Sequence, residues 1–368
     1  MTEVAAQPVA LAAQPVDNRP LANHLPEGVD PTKLQLAYGR RAIPKLVGEA
    51  ESDTLETRQK AMISLAELFH NPELISQGLA QGVVSKLTSM FRQSFDVDEP
   101  IDLTLRQKAS ECLAIISGYA VGRNALVLEN SLAAVSVLFD DADAMVRRNS
   151  HTAFSRCTVQ KACVDSILPL GIIETLVKKL PVERDDIQIL IMDTLYNCIR
   201  YGSSDWIPQD ALKCDAINVL TELLKPYSVT NVKVGAAKCI MMICFHADGK
   251  KAALNGHTIG ILIDSLLDFK AQVRAASAGA LMSISIDVEA KKVLVRENAI
   301  PTLMNLLNDK DESVLINTIK TISNCAEDYR GRFQLHGCYK KLEGISKSSN
   351  ALLSDAAKRA MKVITWRP

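Results

Sequence analysis

The nine residues VRAASAGAL, beginning at Val273, state a template that this chain repeats: an apolar residue, a basic one, two free positions, a small residue, two more free positions, a small residue and a large apolar one. The same line reads TRQKAMISL from Thr57, LRQKASECL from Leu105, VRRNSHTAF from Val146 and IQILIMDTL from Ile187. It continues as VKVGAAKCI from Val232, VLINTIKTI from Val314 and, more loosely, LSDAAKRAM from Leu353. Successive starting points are 48, 41, 41, 45, 41, 41 and 39 residues apart. Periodic self-similarity of this kind requires units that cannot bury their apolar faces alone and must stack on one another.

Counting from the first template residue, offsets 0, +4, +7, +8 and +11 fall on one stripe of a helix with 3.6 residues per turn. At +4 stand Ala61, Ala109, Ser150, Ala236, Ser277, Thr318 and Ala357, small enough for neighbouring helices to approach closely. Ile191 is the exception, so its repeat is expected to be splayed or locally repacked. Each copy follows a second amphipathic segment, clearest in AIPTLMNLLND from Ala299, AINVLTELLK from Ala216 and GIIETLVKKL from Gly171. A period near 41 with two or three helices per unit belongs to the HEAT and armadillo solenoids. The form I-P-x-L-x-x-L-L, acidic turn, V-R-x-x-A-x-x-A-L resembles armadillo repeats specifically. The expected fold is therefore an all-α, right-handed armadillo α-solenoid of about eight repeats, spanning roughly 42 to 365.

Composition narrows the partners. Lys+Arg and Asp+Glu number 42 each, which gives no reason to expect nucleic acid or an anionic membrane. Only 5% of residues are aromatic, in keeping with closely packed helices rich in Ala, Leu and Ile. The nine cysteines include no C-x-x-C and sit mostly in apolar helical text, so they read as buried, reduced thiols of a cytosolic protein. The longest apolar run, CIMMICF, falls far short of the ~20 residues of a membrane span. The opening MTEVAAQPVALAAQPVDNRP has no basic n-region, and a soluble cytoplasmic chain is expected.

Motifs for catalysis are missing from the sequence. There is no Walker A loop, dinucleotide fingerprint, H-E-x-x-H or G-x-S-x-G. Cys244 and His246 supply two ligands where a zinc site needs four, and no metal or cofactor is expected. Gly122-Arg123-Asn124 and Gly331-Arg332 read as interhelix turns with solvated charge. Asp140-Asp141 and Asp185-Asp186 read as acidic turns favoured by helix N-terminal dipoles. An enzyme is not expected, and function is assigned to a surface.

In an armadillo-like stack the last helix of each repeat lines a continuous concave face, and offsets +3, +6 and +10 point away from the buried stripe. The candidate partner-binding residues on it are Lys108, Asn149, Arg156, Asn197, Lys238, Met242, Ala276, Gly279, Ser283, Asn317, Lys320 and Asn324. Importin-type armadillo proteins carry repeated Asn at +10 and Trp at +6 to clamp a basic peptide. Here Asn stands at +10 only as Asn197 and Asn324, and Trp never stands at +6, so an import receptor fits poorly. Ala276, Gly279 and Ser283 make a smooth notch beside Met242, explained either by tight packing against the next repeat or by close approach of a partner; the second is the expectation taken here. Two segments exceed the repeat period, the acidic 92–102 and YGSSDWIPQD at 201–210, both expected as surface loops. Trp206 in the latter is either a docking residue or a loop-packing one.

Residues 1–29 are expected to be a disordered arm, and 30–368 the solenoid. Pro31 to Tyr38 is expected as a short helix within an N-terminal cap at 30–41, with Pro31 at its first position. DPTKLQLAYGRRAIPKL at 30–46, followed by TRQKAMISLAELFHNPE at 57–73, resembles the N-terminal portion of the radial spoke head armadillo family, also described as the rhabdoid-tumour-deletion-region type. The resemblance implies a non-catalytic structural subunit of the ciliary or flagellar axoneme, with other radial spoke proteins as partners, including the long scaffolding subunit of the stalk. It implies no nucleic-acid, membrane or small-molecule ligand. The alternative is a soluble cytoplasmic adaptor that reversibly binds a linear motif; the mixed, irregular charge of the groove favours a fixed partner instead.

Overall fold

The computed structural model describes residues 39–93, 102–202 and 207–367. The expected arm at 1–29, the capping helix Pro31–Tyr38, residues 94–101 of the acidic loop and Trp206 lie outside them. Eight long helices carry the template: α1 (Leu55–Leu68), α2 (Leu103–Ser117), α3 (Ala144–Cys157), α4 (Asp185–Tyr201), α5 (Thr230–Ile243), α6 (Ala271–Ile284), α7 (Glu312–Cys325) and α8 (Ala351–Ile364). Each packs against the next in order and forms one layer, while shorter helices make the opposite layer. Among the described residues there is no strand, and no single helix is long and apolar enough to cross a membrane.

Local chemistry sets the boundaries. Asp102, Asp143, Asp311 and Asn350 accept hydrogen bonds from the first free amides of α2, α3, α7 and α8. Where the two shorter helices of a repeat meet, the chain passes through the left-handed region at Gly82, Asn130, Gly171, Asp215 and Asn298. Glycine, asparagine and aspartate tolerate that conformation best. The +4 residues are fully buried, as their size anticipates, and so is Ile191. Its repeat is repacked rather than open: the Met192 side chain lies where a Cβ on Gly235 of α5 would be, within 2.8 Å.

The basic residue at +1 and the acidic turn turn out to be partners across repeats. Arg106 meets Asp141 at 2.5 Å, Arg147 meets Glu183 at 2.8 Å, Lys233 meets Asp268 at 3.0 Å and Arg274 meets Asp309 at 2.7 Å. In each pair the base belongs to one inner helix and the acid to the turn before the next. Arg147 and Arg274 also donate to carbonyls of the turn that leads into their own helix, at Asp141 and Ala142 and at Asp268 and Phe269. Burial alone would raise the Asp268 carboxyl, but the Lys270 amide and the Lys233 ammonium outweigh it and hold the group below its ordinary value. Repeat four breaks the series, for Gln188 stands at +1 and donates to the Leu180 carbonyl of its own turn.

Three readings of turns are corrected. Gly122 and Gly331 lie inside helices, Ala120–Leu128 and Tyr329–Leu335. With Gly249 they occupy offset +17, where the first helix of a repeat crosses the end of the inner helix before it. A Cβ there would stand 2.0, 2.2 and 2.3 Å from the carbonyl oxygens of Ile116, Ile243 and Cys325, respectively. Their basic neighbours are not merely solvated. Arg123 donates to the Ser117 and Gly118 carbonyls, Lys250 to Phe245, and Arg332 to Ala326 and Glu327, so each closes the exposed carbonyl end of an inner helix. The third correction concerns 201–210: Tyr201 ends α4, and Ile207 and Pro208 are buried in the helix Ile207–Lys213.

Candidate functional site

The polar residues expected to face a partner across the α1–α8 layer divide into two groups. The first reaches back to the preceding repeat. Asn149 Nδ2 donates to the Gln107 carbonyl at 3.3 Å and the Ser110 hydroxyl at 3.0 Å. Asn317 Nδ2 donates to the Ala275 carbonyl at 2.9 Å, and Asn324 Nδ2 to the Met282 carbonyl at 3.1 Å and the Ser285 hydroxyl at 3.0 Å. Arg156 donates to the Ala114 carbonyl at 2.5 Å, and Asn197 to the Thr158 hydroxyl at 3.3 Å. The pattern is regular: a donor at +3 or +10 meets a carbonyl one offset lower on the previous inner helix, or a nearby hydroxyl. A helical carbonyl already accepts one bond, and its second lone pair takes the side chain. These five residues tie the layer together.

The expected notch is filled from within. Ala276, Gly279 and Ser283 are all buried, and the Ser283 hydroxyl donates to the Ala280 carbonyl. A Cβ on Gly279 would meet Met241 Sδ at 3.1 Å and Asn317 Nδ2 at 3.2 Å. The adjacent methionine that reaches this glycine is Met241, with Met242 half-buried beside it. The bare helix surface at Gly279 therefore serves packing between repeats, because Asn317 needs that space to reach its carbonyl.

The second group stays open to solvent. Lys108 pairs with Glu111 along α2 at 2.8 Å. Lys238 and Lys320 are exposed at offset +6 and, with Arg359 at the same offset of α8, form no ion pair among the described residues. Down the layer the +6 column reads Ile63, Glu111, Thr152 and Asp193, then Lys238, Gly279, Lys320 and Arg359. Acidic side chains occur in its first half only and cations in its second half only.

Lys320 and Arg359 border a depression of about 440 Å³ that runs across α6, α7 and α8. Its apolar lining includes Met282, Ile286, Ile316 and Leu352, with Asn324 and Asp355 among its polar groups. Leu352 is 72% exposed and Ile286 52%, so the apolar surface is available to a partner. Arg359, Ile316 and Leu352 were not singled out in the sequence; the shared +6 offset is the signal that finds Arg359. A second depression, near His70, Tyr119 and Val159, is bordered by Arg123 and Arg156, whose guanidiniums already serve carbonyls.

Groups with reactive potential sit elsewhere. Every cysteine is free, and all but Cys214 are buried. Burial pushes the Cys198, Cys244 and Cys325 thiols up to about 12, far from the thiolate form a nucleophile needs. Cys244 Sγ lies 3.5 Å from the Gly249 carbonyl, and no group of three or more metal-ligating side chains occurs among the described residues.

Comparison with known proteins decides the architecture. Residues 287–327, which end with α7, match the Armadillo/beta-catenin-like repeat family. An engineered protein of known crystal structure superposes with a TM-score of 0.78 over 88% of this chain and 78% of its own, at 22% identity. A designed armadillo repeat protein in complex with the peptide (KR)4 superposes with a TM-score of 0.58 over 63% of this chain and 99% of its own, at 18% identity. The fold is an armadillo-type α-solenoid. In this solenoid the depression lies at the α6–α8 end of the α1–α8 layer.

Proposed function

We propose that this armadillo solenoid is a non-catalytic scaffold subunit of the ciliary or flagellar radial spoke, and that it binds other spoke subunits through the α1–α8 face and its ends. The observation that carries the binding reading is the α6–α8 depression, where exposed apolar side chains lie beside cations with no ion pair among the described residues. The spoke assignment rests on the resemblance of DPTKLQLAYGRRAIPKL and the following 57–73 segment to the radial spoke head armadillo family. The ties between repeats fit a load-bearing part, since side-chain bonds as well as apolar contact join neighbouring units.

Quantitative mass spectrometry of purified motile axonemes through a salt-extraction series tests the assignment. The chain is expected to survive detergent and to leave together with other spoke subunits at one salt step. Loss with the soluble cytoplasm before any salt is added would overturn the spoke reading and leave the reversible cytoplasmic adaptor as the better account.

A further inference from the structure

We infer that the α6–α8 end of the groove takes an acidic, amphipathic segment of a partner protein. This rests on the reading of the α1–α8 layer as an interaction face and gives that face a ligand class. Bases and acids are equal in number along the chain, so cations left over in the groove do not reflect a surplus of positive charge. The bases at the turn edge are used: Arg106, Arg147, Lys233 and Arg274 each have an acid from the next repeat. Lys238, Lys320 and Arg359, which share offset +6, form no ion pair among the described residues; Lys238 lies close enough to Asp193 of the preceding inner helix to act on its carboxyl, whereas the depression holds Lys320 and Arg359.

Around the depression, Lys320 and Arg359 face a single carboxylate, Asp355, which forms no ion pair with either. Met282, Ile286, Ile316 and Leu352 lie between and beside them. A segment that satisfies this surface presents carboxylates to the two cations and leucine-like side chains to the apolar floor. A basic peptide of the (KR)4 kind, bound by the designed armadillo relative, would meet like charge here. Like charges set against each other in an interface disfavour binding and so give specificity.

Fluorescence anisotropy on the full chain tests this with three labelled peptides: alternating Glu and Leu, alternating Ser and Leu, and (KR)4. Saturable binding of the Glu/Leu peptide is expected, weakened about ten-fold or more by the double substitution Lys320→Glu/Arg359→Glu and by a rise in NaCl from about 50 to about 500 mM. Leu352→Glu should weaken it as well. Lys310→Glu/Lys347→Glu, which reverses two exposed charges outside the depression, should leave it unchanged. Thermal melts of each variant establish that the exposed substitutions keep the fold. Equal or tighter binding of (KR)4, an affinity indifferent to the charge reversal, or no binding of the Glu/Leu peptide would each overturn the inference. Should the Ser/Leu peptide bind as well as the Glu/Leu one, in a manner sensitive to Leu352→Glu, the acidic ligand falls while the groove reading stands. Should none of the peptides bind, the axoneme extraction series decides the scaffold reading separately.

Discussion

Gly122 and Gly260 both sit inside helices, yet a methyl group would be received differently at the two. At Gly122 it would press to 2.0 Å from the Ile116 carbonyl oxygen, a backbone atom that cannot swing aside, whereas at Gly260 nothing lies within 4 Å. Gly122→Ala should therefore destabilise by about 1–3 kcal/mol, the usual range for overpacking. Gly260→Ala should stabilise by up to about 1 kcal/mol through helix propensity alone; urea denaturation of the two variants checks the opposite signs. His151 offers a second residue-scale test. It is buried against Phe139, with ring centroids 3.9 Å apart, and neither ring nitrogen has a hydrogen-bond partner. Burial first, then the charges of Lys179 and Arg147, drive its folded pKa from 6.5 down to about 3. Between those values the unfolded chain takes up a proton that the folded chain refuses. Acid thus favours unfolding by up to about 1.4 kcal/mol per pH unit, and the penalty vanishes above the unfolded pKa. In His151→Phe, stability relative to the parent should be flat above pH 7 and rise as pH falls from about 6 to about 4, read from denaturation midpoints at each pH.

Among elements, the joint between α3 and the turn before α4 tests the ladder of ion pairs. Glu183 is 4% exposed at its side chain, and Arg147→Ala would leave that carboxylate buried without its guanidinium. A loss of about 3 kcal/mol is expected, and the double variant Arg147→Ala/Glu183→Ala should cost clearly less than the sum of the single ones. Asn324→Ala, which removes bonds to Met282 and Ser285, should cost about 1 kcal/mol. How much of this was legible in the sequence follows from the range of each cause. The inner helices and their buried stripe were readable because period and burial are written within nine residues, as at Val273–Leu281. The destination of Asn149 or Asn324 was not, because the acceptor lies one repeat away and offset alone cannot tell an amide aimed at a partner from one aimed at a neighbouring carbonyl. Gly122 and Gly331 misled for a similar reason. Locally glycine argues for a turn, while the deciding contact is a carbonyl at the end of the previous helix. Their recurrence with Gly249 at offset +17 was the available clue.

Across the whole molecule, from α2 to α7, one joint between inner helices lacks the ion pair that the others share. Between repeats four and five the +1 base is replaced by Gln188, which bonds within its own turn. The α4–α5 contact relies instead on Met192 seated over Gly235 and on Cys239 Sγ, 3.3 Å from the Met192 carbonyl. In a linear array stability is a sum of unit and nearest-neighbour contributions, so a joint without a buried ion pair is where cooperativity divides. Hydrogen exchange in rising urea should show α2 and α3 losing protection together, and α5 and α6 together, with a break between α4 and α5; uniform loss from α2 to α7 would contradict this. The ladder also bears on how such a chain can be rearranged. Each of repeats two, three, five and six holds a base at +1 for its successor, and in repeats three and six the preceding turn also holds an acid for the predecessor, so those two units carry a plug at one end and a socket at the other. Duplicating repeat three or repeat six in tandem would leave every plug seated. A copy of repeat four, which has Gln188 at +1, would leave the copied Glu183 socket empty, and a copy of repeat five would leave one Lys233 plug without an acid, so three and six are the units whose number is freest to change.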